Sequence, residues 1–99
     1  MLTVQQIKDT VTDYFKDKPV KSVYLFGSYA RGDAKEDSDV DLLVEFDDSK
    51  KRLSFFDVLR FKVGLEDKFN RNVELVEEGF LYEGFRKFVN EDKFQIYQS

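Results

Sequence analysis

The chain has no cysteine and no histidine among its 99 residues. Without cysteine, disulfides and thiolate metal sites are excluded; without histidine, so are imidazole bases and the common zinc sites. Any general base must then be a carboxylate. Long apolar runs are also missing: no stretch reaches the roughly 18 residues of a membrane-spanning helix. The opening Met-Leu-Thr-Val-Gln-Gln has neither the basic nor the continuous apolar region of a secretory signal. A cytoplasmic protein with no membrane-embedded part is expected. Positive charge is in deficit, with 16 Lys and Arg against 20 Asp and Glu, a net charge of −4 and a pI near 4.8. General nucleic-acid binding draws on a basic face, so it is not expected either. There are no internal repeats and no low-complexity tract.

Core material, by contrast, is plentiful. Apolar residues make up 41% of the chain, with eleven Phe and five Tyr, which suits a compact core rather than a disordered chain. The length suits one domain, residues 1–99, with no room for a separate substrate-binding domain.

The stretch from Val23 to Phe46 organises the rest. Two apolar runs flank a polar, glycine-punctuated connection, with Gly27-Ser28 leaving the first run and Asp39-x-Asp41 entering the second. If residues 38–46 form a strand, Asp39 and Asp41 project from one face while Val40, Leu42, Val44 and Phe46 line the other. Carboxylates this close raise each other's pKa or demand a counter-ion. A hard divalent cation meets that demand, and Mg²⁺ usually takes one or two protein carboxylates and fills its shell with water and phosphate oxygens.

At the other end of the connection, Gly27 lets the backbone turn sharply and approach a ligand. The Ser28 hydroxyl and the following amides, with Arg31 nearby, can grip phosphate oxygens. Arg31 has a second reading, in which it braces the loop by pairing with Asp33 or Asp37. The bland alternative for the aspartates is a pair of carboxylates capping a loop in water. It leaves Gly27, Ser28, Arg31, Gly32 and Ser38 in the same connection unexplained, so a metal and nucleotide site is the better reading.

Around this centre the periodicities predict alternating helices and strands. Thr3 and Gln6 form a capping box for an amphipathic helix over about 3–17, with Val4, Ile7, Val11, Tyr14 and Phe15 on its stripe and Pro19 closing it. Residues 21–26 make a first strand, a brief helical segment runs from Gly27 through Arg31, and residues 32–37 form a loop. The two strands must run antiparallel for both ends of the connection to meet. Residues 47–52 read as a solvated loop holding a basic cluster, Lys50, Lys51 and Arg52, with attraction of a triphosphate or an acidic partner as the functional alternative.

Ser54-x-x-Asp57 caps a second long helix, with Phe55, Val58, Phe61, Leu65 and Phe69 on one face and Phe56, Leu59 and Val63 beside it, broad enough to cover a sheet. Gly64 in its middle costs about 1 kcal/mol relative to Ala, which a close packing contact would explain. Residues 72–76 alternate cleanly as a third strand, and a strand–helix–strand unit favours a parallel neighbour for the second strand, bringing Glu74 beside the aspartates. A last helical segment starts at Gly79, with Leu81, Tyr82, Phe85, Phe88 and Val89 as its stripe up to Asn90. The tail from Glu91 to Ser99 reads as either a short strand or a helical turn, its aromatics packing at home or docking a partner. The fold class is α/β (α+β): a small mixed sheet of three or four strands with flanking helices.

The string Gly27-Ser28-x-Ala30-Arg31-Gly32, followed by Ser38-Asp39-x-Asp41-Leu42, resembles the signature of the nucleotidyltransferase superfamily typified by DNA polymerase β, and in particular its minimal, MNT-type branch. A bare Asp-x-Asp would be weak; here glycine, serine, arginine, a second glycine and the aspartate pair fall in order. The resemblance implies a polymerase-β-like core and transfer of a nucleoside monophosphate, AMP from ATP, to a hydroxyl with release of pyrophosphate. It implies two Mg²⁺ ions, about 3.5–4 Å apart, held by Asp39 and Asp41. The superfamily's third carboxylate, commonly Asp, falls on Glu74, which would complete one metal's shell or accept the proton; Glu77 and Glu78 are poorer candidates. Nucleotide binding would fall to Gly27, Ser28 and Arg31.

Stand-alone proteins of this branch resemble the antitoxin half of MNT/HEPN toxin–antitoxin pairs, in which AMP goes to a tyrosine of a helical HEPN ribonuclease. The implied partner is such a toxin, in a hetero-oligomer. Two alternatives stand beside this: a non-catalytic antitoxin that inhibits by contact, and an enzyme modifying a small molecule of the aminoglycoside type.

Overall fold

The computed structural model describes residues 1–47, 49, 52–81 and 83–99. Lys50 and Lys51 of the basic cluster, and Tyr82 of the last apolar stripe, lie outside the described residues. Helix α1 (Val4–Phe15) opens on the expected capping box: the Thr3 hydroxyl accepts from the Gln6 amide at 3.0 Å, and the Gln6 side chain accepts from the Thr3 amide at 2.8 Å. Two otherwise orphaned donors are satisfied this way. The helix stops at Phe15, two residues short of the expected end, because the Lys18 amide folds back onto the Phe15 carbonyl at 3.0 Å ahead of Pro19.

Strand β1 (Val20–Phe26) pairs antiparallel with β2 (Val40–Phe46), setting Leu25 opposite Leu42 and Phe26 opposite Asp41. Helix α3 (Phe55–Phe69), preceded by the single-turn α2 (Ser28–Arg31) earlier in the chain, crosses over to β3 (Val73–Glu77). This strand lies parallel to β2, with Asp41 opposite Glu74. After a 3₁₀ turn at Glu78–Phe80 and helix α4 (Glu83–Asp92), the tail forms β4 (Phe94–Gln98), antiparallel to the free edge of β1. The sheet is therefore mixed and four-stranded, in the order β3-β2-β1-β4.

Period-2 alternation divides the apolar side chains between two faces. Val23, Leu25, Val40, Leu42, Val44 and Val73 pack beneath Ile7, Val11 and Phe15 of α1 and Phe61, Leu65 and Phe69 of α3. On the opposite face, Phe26 and Leu43 meet Val89 and Phe85 of α4, the Phe26 and Phe85 rings standing edge-on at 6.1 Å. Asp41 and Glu74 belong to this second face.

Three apolar expectations are corrected. Phe56, Leu59 and Val63 do not flank the buried stripe of α3; at roughly 100° per residue they fall on its far side, and all three are exposed. Phe55, expected on the core face, is 74% exposed and stacks edge-on against Phe56, since the first turn lies off the line of Phe61, Leu65 and Phe69. Phe88 is 71% exposed, because only Val89 and Phe85 of α4 reach the sheet. The last helix starts at Glu83, as the 3₁₀ turn occupies the expected start around Gly79. Among the described residues no helix is long and apolar enough to cross a membrane.

Gly64 has the packing contact its position suggested. A Cβ there would sit 2.9 Å from Cζ of Tyr14, and closer still to its hydroxyl oxygen. The Tyr14 ring is held edge-on by Phe15 and Phe61, at 5.2 and 6.4 Å between centroids. Gly64→Ala should lower Tm by about 5 °C, as an overpacking cost of about 2 kcal/mol outweighs a helix-propensity gain of about 1 kcal/mol. A raised Tm in a circular-dichroism melt would show that the Tyr14 ring gives way freely.

Candidate functional site

Beyond Phe26 the chain enters Gly27 with φ +77° and ψ −153°, a region essentially restricted to glycine. The position is also crowded: a Cβ on Gly27 would meet the Asp41 side chain, with Cγ at 3.0 Å and a carboxylate oxygen nearer. Glycine is thus required both to turn the chain and to leave room for a carboxylate. The turn is closed by the Arg31 amide on the Gly27 carbonyl and the Gly32 amide on the Ser28 carbonyl, each at 3.0 Å. Ser28 therefore emerges at the end of β1, next to Asp41.

Asp41 and Glu74 are second residues of two parallel strands and lie directly opposite one another. Asp39 stands outside the ladder. The strand expected from Ser38 begins at Val40, because Ser38 is held in a turn: its hydroxyl accepts from the Lys35 amide at 2.7 Å and its own amide donates to the Lys35 carbonyl at 3.1 Å. The ladder starts one residue after Asp39, where the Val40 amide meets the Asn72 carbonyl at 3.0 Å. Asp39 is exposed, Asp41 partly buried and Glu74 exposed.

The three carboxylates nevertheless act on one another. The Asp41 pKa is pushed up to about 6, first by burial and then by the charges of Asp39 and Glu74, with Arg31 pulling the other way. The fold has thus brought together Gly27, Arg31, Asp39, Asp41 and Glu74. Among the described residues no group of three or more Asp, Glu, His or Cys side chains is arranged to hold an ion, so the three carboxylates are not a finished cage. Their chemistry does fit a hard divalent cation: every donor is a carboxylate oxygen, and the repulsion on Asp41 is what such an ion relieves.

Arg31 is engaged within the protein. Its Nε donates to Asp33 Oδ2 at 3.2 Å, and Nη1 donates to Asp92 Oδ2 at 3.1 Å. Of the two bracing partners expected, Asp33 is present and Asp37 is not. Asp92 was missed by sequence reasoning, although an acidic residue ending a helix with no basic residue in its last turn is a visible irregularity.

The raised Asp41 pKa has a consequence for stability. Below about pH 4, Asp41 is protonated in both folded and unfolded chains and carries no penalty. Between about pH 4 and 6 the unfolded chain ionises first, so stability falls as pH rises, and above about 6 the penalty is complete. Asp41→Asn should therefore stabilise the protein at pH 7.5 by about 1 kcal/mol, once solvent screening is allowed for. Thermal melts at pH 7.5 and pH 4 check this: the gain should vanish at the lower pH, and an equal gain at both would contradict it.

The model of the nucleotidyltransferase domain matches residues 4–97 of the chain. The protein adenylyltransferase MntA of Thermococcus cleftensis is 38% identical over 93 residues, covering 90% of this chain and 91% of that protein. A crystal structure of a toxin–antitoxin with AMP-PNP superposes with a TM-score of 0.79 at 21% identity, covering 93% of this chain and 73% of that one. A tri-AMPylated HEPN toxin of Shewanella oneidensis in complex with MNT antitoxin gives a TM-score of 0.73 at 20% identity, with 96% and 72% covered. At that identity the two structures establish a shared fold.

Proposed function

The chain belongs to the nucleotidyltransferase domain family, and we propose that it is an Mg²⁺-dependent protein adenylyltransferase that moves AMP from ATP to a hydroxyl, that of a tyrosine of a helical HEPN-type toxin, and so acts as an antitoxin. The observation that carries this reading is the pairing of Asp41 with Glu74 beside Gly27, with Asp39 close enough to raise the Asp41 pKa. The 38%-identical protein adenylyltransferase supports AMP as the transferred group. The fold shared with toxin–antitoxin complexes supports a toxin as acceptor and a hetero-oligomer as the working form. A cytoplasmic site of action, where ATP is supplied, goes with this reading.

In this mechanism the acceptor hydroxyl oxygen forms a bond to the α-phosphorus of ATP, the bond from that phosphorus to the β-bridging oxygen breaks, and pyrophosphate leaves. Glu74, exposed beside Asp41, takes the hydroxyl proton. The Ser28 hydroxyl and the amides after Gly27 hold the triphosphate, and the spare N–H groups of Arg31 add charge-assisted hydrogen bonds. Gly27 keeps the turn close enough for phosphate to approach the carboxylates. Asp39 and Asp41 would hold Mg²⁺, with Glu74 completing the shell of one of two ions; the bound metal would neutralise charge on the attacking and leaving oxygens.

A second reading, inhibition of the partner by contact alone, is favoured by the lack of a ready-made three-carboxylate group among the described residues. The two separate in one experiment. A helical HEPN-type toxin, incubated with ATP, Mg²⁺ and the intact protein, should gain the mass of one or more AMP groups, and should gain none with Asp39→Asn/Asp41→Asn. Tight binding without any mass gain would leave contact inhibition. Glu74→Gln should slow transfer by about 10²–10⁴-fold through loss of the base, while changing the Kd for ATP far less; an unchanged rate would remove Glu74 from the chemistry.

A further inference from the structure

Arg31 is the last residue of a four-residue helix and is followed by Gly32 at φ +88°, so little of its own neighbourhood holds its side chain. A long guanidinium arm that is 47% exposed would otherwise lose rotamer entropy when a ligand fixed it. Two carboxylates fix it in advance. Asp33, two residues on and itself exposed, shares the loop and cannot tie it to the rest of the fold. Asp92 can. It is only 21% exposed and ends α4, and the next element, β4, pairs with β1 so that Phe94 faces Leu25. The register of the edge strand thus brings the end of α4 to the turn that follows β1, across 61 residues of chain.

Asp92 is badly placed for its own helix. The C-terminal end of a helix carries the negative end of the macrodipole and disfavours a carboxylate, and α4 has no basic residue in its last turn. A local rule broken at a mostly buried residue, with its compensation supplied by a site residue, marks a functional constraint. The arginine it holds also acts on Asp41, whose pKa it pulls down. Of the five N–H donors of the guanidinium, two are engaged by Asp33 and Asp92, leaving three for another ligand.

We propose that Asp92 is a positioning residue of the nucleotide site: through its hydrogen bond to Arg31 Nη1 it orients the guanidinium so that the free donors face the triphosphate beside Asp41. The pair itself contributes little to folding, because its arginine is open to solvent that screens the charges. Its effect is on binding.

This inference rests on the nucleotidyltransferase reading, and the test separates the two. The Kd for AMP-PNP with Mg²⁺ is measured by calorimetry on the full chain, with Tm recorded alongside. Asp92→Asn should weaken binding about fivefold to tenfold, the scale of one ordinary hydrogen bond, while Tm moves by no more than about 3 °C. Asp92→Glu should restore affinity to near that of the intact chain. In an Arg31→Ala background, Asp92→Asn should have no further effect, because the two act through one contact. Unchanged affinity in Asp92→Asn, tighter binding, or the same loss with and without Arg31 would overturn the role of Asp92 while leaving the nucleotide site standing. An intact chain that binds no AMP-PNP would overturn the site itself and this role with it.

Discussion

The parallel pairing that sets Asp41 against Glu74 is the constraint on which the rest depends. Two carboxylates opposite one another in a ladder repel, and a third at Asp39 adds to the strain. The register holds because Val40, Leu42 and Val44 of β2, with Val73 and Leu75 of β3, all face the helices α1 and α3. A slip of one residue would carry that set to the opposite face. Burial of the core thus maintains a charge cluster that would not assemble on its own, and a cation with a triphosphate is the natural means of relieving it.

Gly27 belongs to the same constraint. Its backbone takes a conformation open to glycine, and its missing side chain is the space that the Asp41 carboxylate occupies. One residue therefore joins the turn after β1 to the acidic centre. The Arg31 side chain balances the charge from the other direction, and its two carboxylate partners tie the turn to the loop at Asp33 and to the end of α4. The turn at Gly27–Arg31 and the carboxylates are built on different strands yet share a rim.

Much of this was legible in the sequence where the determinant is local. Thr3 with Gln6 and Ser54 with Asp57 form both capping boxes, Gly27 makes the turn, and Gly64 meets Tyr14. The crossover argument led correctly to a parallel β3 and to Glu74 beside the aspartates. What escaped depends on which of two competing contacts wins, or on distant parts of the chain. Asp39 falls outside β2 because Ser38 is claimed by Lys35, a competition between a turn and a ladder that alternation does not reveal. The exposed Phe56, Leu59 and Val63 carry the hydrophobicity of core residues, and only the position of the sheet decides which side of α3 is buried. Asp92 reaches Arg31 solely because β4 adds to the edge of β1, an outcome that the tail left open between strand and helical turn.

The measurement closest to the central claim is an NMR titration of the Asp41 carboxyl carbon, alone and with Mg²⁺ and AMP-PNP. Burial, with the charges of Asp39 and Glu74 added to it, predicts a midpoint near 6 in the free protein, falling by more than one pH unit when the cation and nucleotide bind, with release of a proton. A midpoint near 4 in the free protein, or one near 6 that Mg²⁺ and AMP-PNP leave unmoved, would contradict the account of this cluster as a metal and nucleotide site.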